Sequence, residues 1–157
     1  KIKDTNIIFT KPNSDTGGRI IIDYIDEFVR DNPGNTISFT SMGQLLYLST
    51  LKYVDGVIGN SSSGLLEVPS FKIGTINIGD RQKGRIKADS VIDCGIESVS
   101  IQKAIKKLYS FEFQKRLQKV KNPYGSGNAA MKSYKILKNI KLSNILKKEF
   151  YDIDFKI

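Results

Sequence analysis

The sequence has no histidine and a single cysteine, Cys94. The first absence removes a histidine general base, a Ser–His nucleophile pair and any His-ligated metal site from this chain. The second excludes an internal disulfide and suits a reducing cytoplasm. No apolar run approaches the roughly 20 residues that span a bilayer. The charged opening Lys1-Ile2-Lys3-Asp4 leads into no early apolar stretch, so neither a membrane anchor nor a signal peptide is expected. Asp80, Asp89 and Asp93 lack a recognisable metal spacing, and no metal or cofactor is expected. Cys94, beside Gly95 and without an evident basic partner, reads as a small buried hydrophobe rather than a nucleophile. The first residue is not methionine, which is read as a sign that the chain is a piece of something longer.

What is present fits one globular domain over residues 1–157, since the chain is 39% hydrophobic and long enough for a single core. Its net charge of +9 is unevenly spread. Residues 1–102 hold 11 basic and 12 acidic groups, whereas residues 103–148 hold 13 basic groups against one acid, Glu112. Such a block invites a nucleic-acid reading. However, Ile101, Ala104, Ile105 and Leu108, then Leu137, Ile140 and Leu142, recur at helical spacing with lysines between them. Solvated outer faces of amphipathic helices explain that pattern, and no aromatic-interleaved RNA-binding motif accompanies it. No nucleic-acid partner is expected.

Along the chain, strands are predicted at Asn6–Thr10, Thr36–Thr40, Val54–Gly59, Gly74–Ile78 and Ser90–Asp93. A helix capped by Asp15 or Thr16 follows Gly17-Gly18, with Ile21, Ile22, Ile25, Phe28 and Val29 on one face. A second runs from about Gln44 to Tyr53, and a short third from Leu65 is cut or kinked at Pro69. The remainder reads as helices over about 98–121 and 128–149, separated by a loop at Pro123–Gly127. This alternation predicts an α/β fold, a Rossmann-like parallel sheet with helices on both faces. Ligands of such sheets sit outside the carboxyl ends of the strands. The unusual loops, 11–18, 41–43, 59–64 and 79–87, all fall at those ends.

Each loop has a chemical reading and a plainer one. Gly59-Asn60-Ser61-Ser62-Ser63-Gly64 offers free amides, hydroxyls and a helix start to an anion, or is an ordinary serine-capped helix. It matches neither the dinucleotide nor the P-loop glycine pattern. Glu67, one turn on, could accept both hydroxyls of a ribose or simply be solvated. Gly79-Asp80-Arg81-Gln82-Lys83-Gly84-Arg85 gathers three cations in one turn, which suits a phosphate clamp or a solvated basic loop. Asn13, Asp15 and the Gly17-Gly18 pair lie in a further strand-to-helix loop that could approach the same ligand or be only a helix cap. Met42-Gly43 lies in another, where backbone could read a base edge or merely turn the chain.

The run Val57–Ser70, continuing through Gly74–Arg85, resembles the hydrolysing UDP-N-acetylglucosamine 2-epimerases of bacterial sialic-acid synthesis. Phe9–Gly18, Asn122-Pro123-Tyr124-Gly125 and Phe150–Ile153 fit the same family, so the resemblance covers nearly the whole chain. It implies the C-terminal half of a two-domain enzyme of the glycosyltransferase-B type, the half that grips UDP. By this resemblance Glu67 holds the ribose hydroxyls, Ser61 and Ser62 bind the diphosphate, and Met42 contacts uracil through its backbone. Asn13 and Arg81 complete the site for UDP-N-acetylglucosamine. The catalytic carboxylates and histidine of the family lie upstream, so no catalytic residue is expected in this half, and the absent N-terminal domain is its partner. Apolar surface left by that absence would favour a homo-oligomer. Close alternatives are an epimerase of diacetamido sugars in legionaminic-acid synthesis and a glycosyltransferase-B transferase.

Overall fold

A computed structural model describes residues 4–13, 17–143, 147 and 152–153. The chain divides into two compact units, Lys1–Pro123 and Tyr124–Ile157. In the first, β1 (Ile7–Thr10), α1 (Gly18–Asp31), β2 (Thr36–Phe39), α2 (Gly43–Thr50), β3 (Gly56–Gly59) and α3 (Ser63–Leu66) follow in order. A 3-10 helix, Val68–Phe71, precedes β4 (Gly74–Ile78), β5 (Val91–Cys94), α4 (Ser98–Leu108) and α5 (Phe111–Leu117). The second unit contains α6 (Ala129–Asn139).

All ladders are parallel, and the architecture is α/β. Among the described residues the hydrogen bonds nevertheless form two sheets, β1–β2 and β3–β4–β5, where one continuous sheet was expected. The difference follows burial. β4 runs buried almost throughout, the signature of a strand covered on both faces. Ile8 and Ile37, adjacent in the β1–β2 register, are 41% and 48% exposed, so little packing draws that pair into a common sheet.

Side-chain alternation sets the two faces of the larger sheet. Ile76 and Ile92 point to one face and join Ala104, Leu108, Phe113, Leu117 and Val120 in the core. Gly74 is required there: a Cβ would lie 2.2 Å from Cδ1 of Leu108 and 2.9 Å from Cε1 of Phe113. Thr75 and Asn77 point to the other face, where the Thr75 hydroxyl donates to the Gly64 carbonyl at 2.9 Å. A Cβ on Gly64 would lie 2.6 Å from Cγ2 of Thr75, so α3 rests its backbone directly on β4. Leu65 and Val68 are fully buried beside it.

Three helical expectations are corrected. The helix over 98–121 is two, because Ser110 caps α5 by accepting from the Phe113 amide at 3.4 Å while its hydroxyl donates to Lys107 at 2.8 Å. That break turns Phe113 and Leu117 under β4. In α1, Ile21 and Phe28 are exposed, although Phe28 meets Phe9 edge-on at 5.8 Å between ring centres. Its N-cap is Gly17 in the left-handed region; Asp15 and Thr16 lie outside the described residues. In place of a helix over 128–149, α6 ends at Asn139, and its apolar Tyr134, Ile136 and Leu137 are exposed. Most residues beyond 143, including Phe150 and Tyr151, fall outside the described residues.

Candidate functional site

The carboxyl ends of β3 and β4 carry the chemistry. β3 ends at Gly59 and delivers Asn60-Ser61-Ser62 to the start of α3. Ser61 is exposed, Ser62 and Ser63 half-buried, and the Ser62 carbonyl accepts from the amides of Leu65 and Leu66. α3 has only four residues, so its dipole adds little to anion binding. Attraction must come from hydroxyls, amides and nearby cations, which alters the weight given to the helix start.

Glu67 ends α3 and opens the 3-10 helix, held half-buried between them. Its backbone is anchored by the Ser63 carbonyl, which accepts from the Glu67 amide at 2.9 Å. Its charge is felt by Tyr47, in the middle of α2. Burial pushes the Tyr47 hydroxyl up; the hydrogen bond with Ser63 lowers it, and Glu67 raises it again. The short Tyr47–Ser63 contact ties α2, which Met42 precedes as a half-buried N-cap, to the start of α3. Asn122 closes the far side by donating to the Leu66 carbonyl at 2.7 Å and the Ser70 hydroxyl at 2.8 Å.

After β4, the turn 79–85 exposes Arg81, Lys83 and Arg85 while Gln82 turns inward, 3% exposed. The Gln82 amide donates to the Asn60 carbonyl at 2.8 Å, so the Arg81 turn is fastened to the serine loop. Among the described residues Arg81 enters no ion pair, which leaves its guanidinium available. The structure thus brings the loop of Ser61 and Ser62 and the Arg81 turn to one sheet edge, with Glu67 at the end of α3 and Met42 linked through α2. Asn13 is exposed on its own loop, and no hydrogen bond among the described residues joins it to that cluster. Its carbonyl lies 2.5 Å from where a Gly18 Cβ would stand, so Asn13 closely approaches the start of α1.

Sequence reasoning assigned no role to Tyr47 or Gln82. Tyr47 lies in a helix and Gln82 between two cations, positions that read as core and solvent respectively; only the folded chain reverses the second. Two concavities, of about 490 and 400 Å³, lie elsewhere: one between α2 and Phe71, the other before β3 and β4 near Tyr109. Neither is lined by Ser61, Ser62, Glu67 or Arg81.

Beside the cluster, Asp93 accepts from Lys87 at 2.7 and 2.8 Å and from Asn77 at 2.7 Å. Burial works to raise its carboxyl, but those hydrogen bonds and the lysine charge outweigh burial and hold it below its ordinary 3.8. A depressed carboxyl contributes stability above its unfolded value, and that contribution is lost as pH falls through the folded one. The thermal midpoint is expected to fall below about pH 4, and to fall less in Lys87→Met. Equal acid sensitivity of the two chains would remove Asp93 as the cause. Cys94 is half-buried, with its thiol pushed up first by burial and then by Asp93 and Glu97. That environment opposes thiolate formation.

The family model described as UDP-N-acetylglucosamine 2-epimerase matches residues 1–138. The chain is 42% identical over 149 residues to the Polysialic acid biosynthesis protein P7 of Escherichia coli, covering 94% of this chain and 38% of that protein. It is 41% identical over 153 residues to the GDP/UDP-N,N'-diacetylbacillosamine 2-epimerase (hydrolyzing) of Campylobacter jejuni, covering 97% and 39% respectively. It is 36% identical over 143 residues to the UDP-N,N'-diacetylbacillosamine 2-epimerase (hydrolyzing) of Legionella pneumophila, covering 90% and 36%. The chain therefore spans well under half the length of these relatives. Because the match runs through β1 to α6 and includes every loop of the cluster, the chain belongs to the UDP-N-acetylglucosamine 2-epimerase family.

Proposed function

We propose that this chain is the nucleotide-gripping C-terminal part of a hydrolysing UDP-N-acetylglucosamine 2-epimerase with a glycosyltransferase-B architecture. One observation supports it above the rest: the Gln82 amide fastens the Arg81 turn to the loop of Ser61 and Ser62 at the carboxyl ends of β3 and β4, with Glu67 at the end of the helix that loop opens. Glu67 accepts the ribose hydroxyls, Ser61 and Ser62 donate to the diphosphate, and Arg81 neutralises it. The Met42 backbone meets uracil, and Asn13 completes the sugar end from the β1 loop. Residues 1–157 act as one UDP-binding domain in the cytoplasm.

In the whole enzyme, UDP leaves carbon 1 as the proton at carbon 2 is removed, giving a glycal. Water then adds to give N-acetylmannosamine. This part supplies charge stabilisation for the departing diphosphate. The base for carbon 2 belongs to the absent N-terminal domain, consistent with the lack of histidine here. The basic residues of α4 and α5 are exposed around a buried apolar stripe, which suits solvation rather than nucleic acid.

A second reading concerns the sugar. Two of the relatives are named for N,N'-diacetylbacillosamine, one of them with GDP or UDP. Calorimetric titration with UDP, GDP and UMP tests the nucleotide, and product assay with UDP-N-acetylglucosamine tests turnover. Selective UDP binding without UDP release is expected from the 157-residue chain. GDP preference would favour the diacetamido reading. Release of UDP by this chain alone would overturn the assignment of catalysis to the other domain.

A further inference from the structure

Gln82 is a neutral amide between exposed Arg81 and Lys83, yet it is 3% exposed while both neighbours remain in solvent. The turn aims it inward: the Lys83 amide donates to the Asp80 carbonyl at 2.7 Å, and the Arg85 amide donates to the Gln82 carbonyl at 3.3 Å. Its side-chain amide crosses 22 residues of sequence to donate to the Asn60 carbonyl at 2.8 Å. Its Oε1 is buried without a hydrogen-bond partner among the described residues. A buried primary amide with an orphaned acceptor is poorer packing than an apolar side chain of equal length. Stability alone therefore does not explain a glutamine at this position.

What Gln82 does achieve is to join the turn after β4 to the loop after β3 by a side-chain hydrogen bond. We propose that Gln82 is a positioning residue that locks the Arg81 turn to the Asn60–Ser62 loop, so that guanidinium and hydroxyls meet a nucleotide diphosphate as one preorganised unit. This rests on the nucleotide-binding reading above. A brace of this kind raises affinity by removing loop freedom before the ligand arrives, without touching the ligand itself.

Two variants of the 157-residue chain test it. Gln82→Met keeps length and bulk but deletes the donor. Gln82→Glu keeps the shape and regains a donor only when protonated, and burial raises that carboxyl well above its ordinary range. In Gln82→Met, amides of 60–64 and 80–84 are expected to exchange faster with those of β4 and α4 unchanged, and UDP to bind about tenfold more weakly. In Gln82→Glu, the UDP dissociation constant relative to the natural chain at the same pH should fall toward one as pH drops from about 8 to 5.5. Unchanged loop exchange, unchanged UDP affinity in Gln82→Met, or a pH-independent ratio in Gln82→Glu would each overturn the proposal. Pyrophosphate separates this from the nucleotide reading. A natural chain that binds pyrophosphate but not UDP refutes that reading, and the same variants then decide the Gln82 role with pyrophosphate. Binding of neither anion refutes both.

Discussion

Glu67→Ala is expected to weaken UDP binding by roughly 100-fold while leaving the fold intact. The magnitude follows from the two hydrogen bonds proposed between ribose hydroxyls and this carboxylate, each of the charge-assisted kind worth about 1.5–3 kcal/mol net. A net loss of about 3 kcal/mol corresponds to that factor. The fold should tolerate the change because Glu67 is half-buried and its structural bond is made by its backbone amide to Ser63. Glu67→Gln, retaining one good acceptor, should fall between the two. An internal control comes from Tyr47, whose hydroxyl Glu67 helps to hold up. Its ultraviolet titration should shift down in Glu67→Ala, showing that the carboxylate was where the structure puts it. A downward Tyr47 shift with unchanged UDP affinity would take Glu67 out of the site.

Phe113→Ala should be the most damaging single substitution to stability, by about 3–5 kcal/mol. Phe113 is 2% exposed and packs with Leu108 beneath Gly74. Truncation leaves a void that β4, buried over Gly74–Asn77, cannot collapse to fill. For a chain of this size the thermal midpoint should drop by roughly 10 °C or more. Phe111→Ala, two residues earlier in α5 and 80% exposed, should change stability by less than about 0.5 kcal/mol. Comparable losses in both would mean that α5 does not turn its Phe113 face to the sheet.

The strands were legible because β-branched runs bounded by glycine, proline and asparagine need no long-range information. β4 appears at Gly74–Ile78 as expected, and β2 differs by its last residue. The ends of helices were less legible. Nothing in Ser98–Lys121 announces that Ser110 will cap a new helix, since the lysine-rich periodicity continues through it. The choice is made by Phe113 and Leu117 finding the underside of β4. The exposed Ile21 and Phe28 show the same limit, since a helical stripe tells which residues can be buried together but not whether a partner surface covers them.

The candidate site divides the same way. The loops that carry Ser61, Ser62 and Arg81 were legible because they follow strands of a parallel sheet, and the parallel register of β3 with β4 brings those loops to one edge. The sequence by itself determined the α/β class, the family and the loops that bear the polar groups, all carried by local pattern. Only the tertiary structure decided that Gln82, flanked by cations, would leave solvent to hold the Asn60 carbonyl, and that Tyr47 would reach Ser63. Both contacts join segments distant in sequence. Burial of a polar side chain depends on the partner it finds after folding, not on its neighbours along the chain.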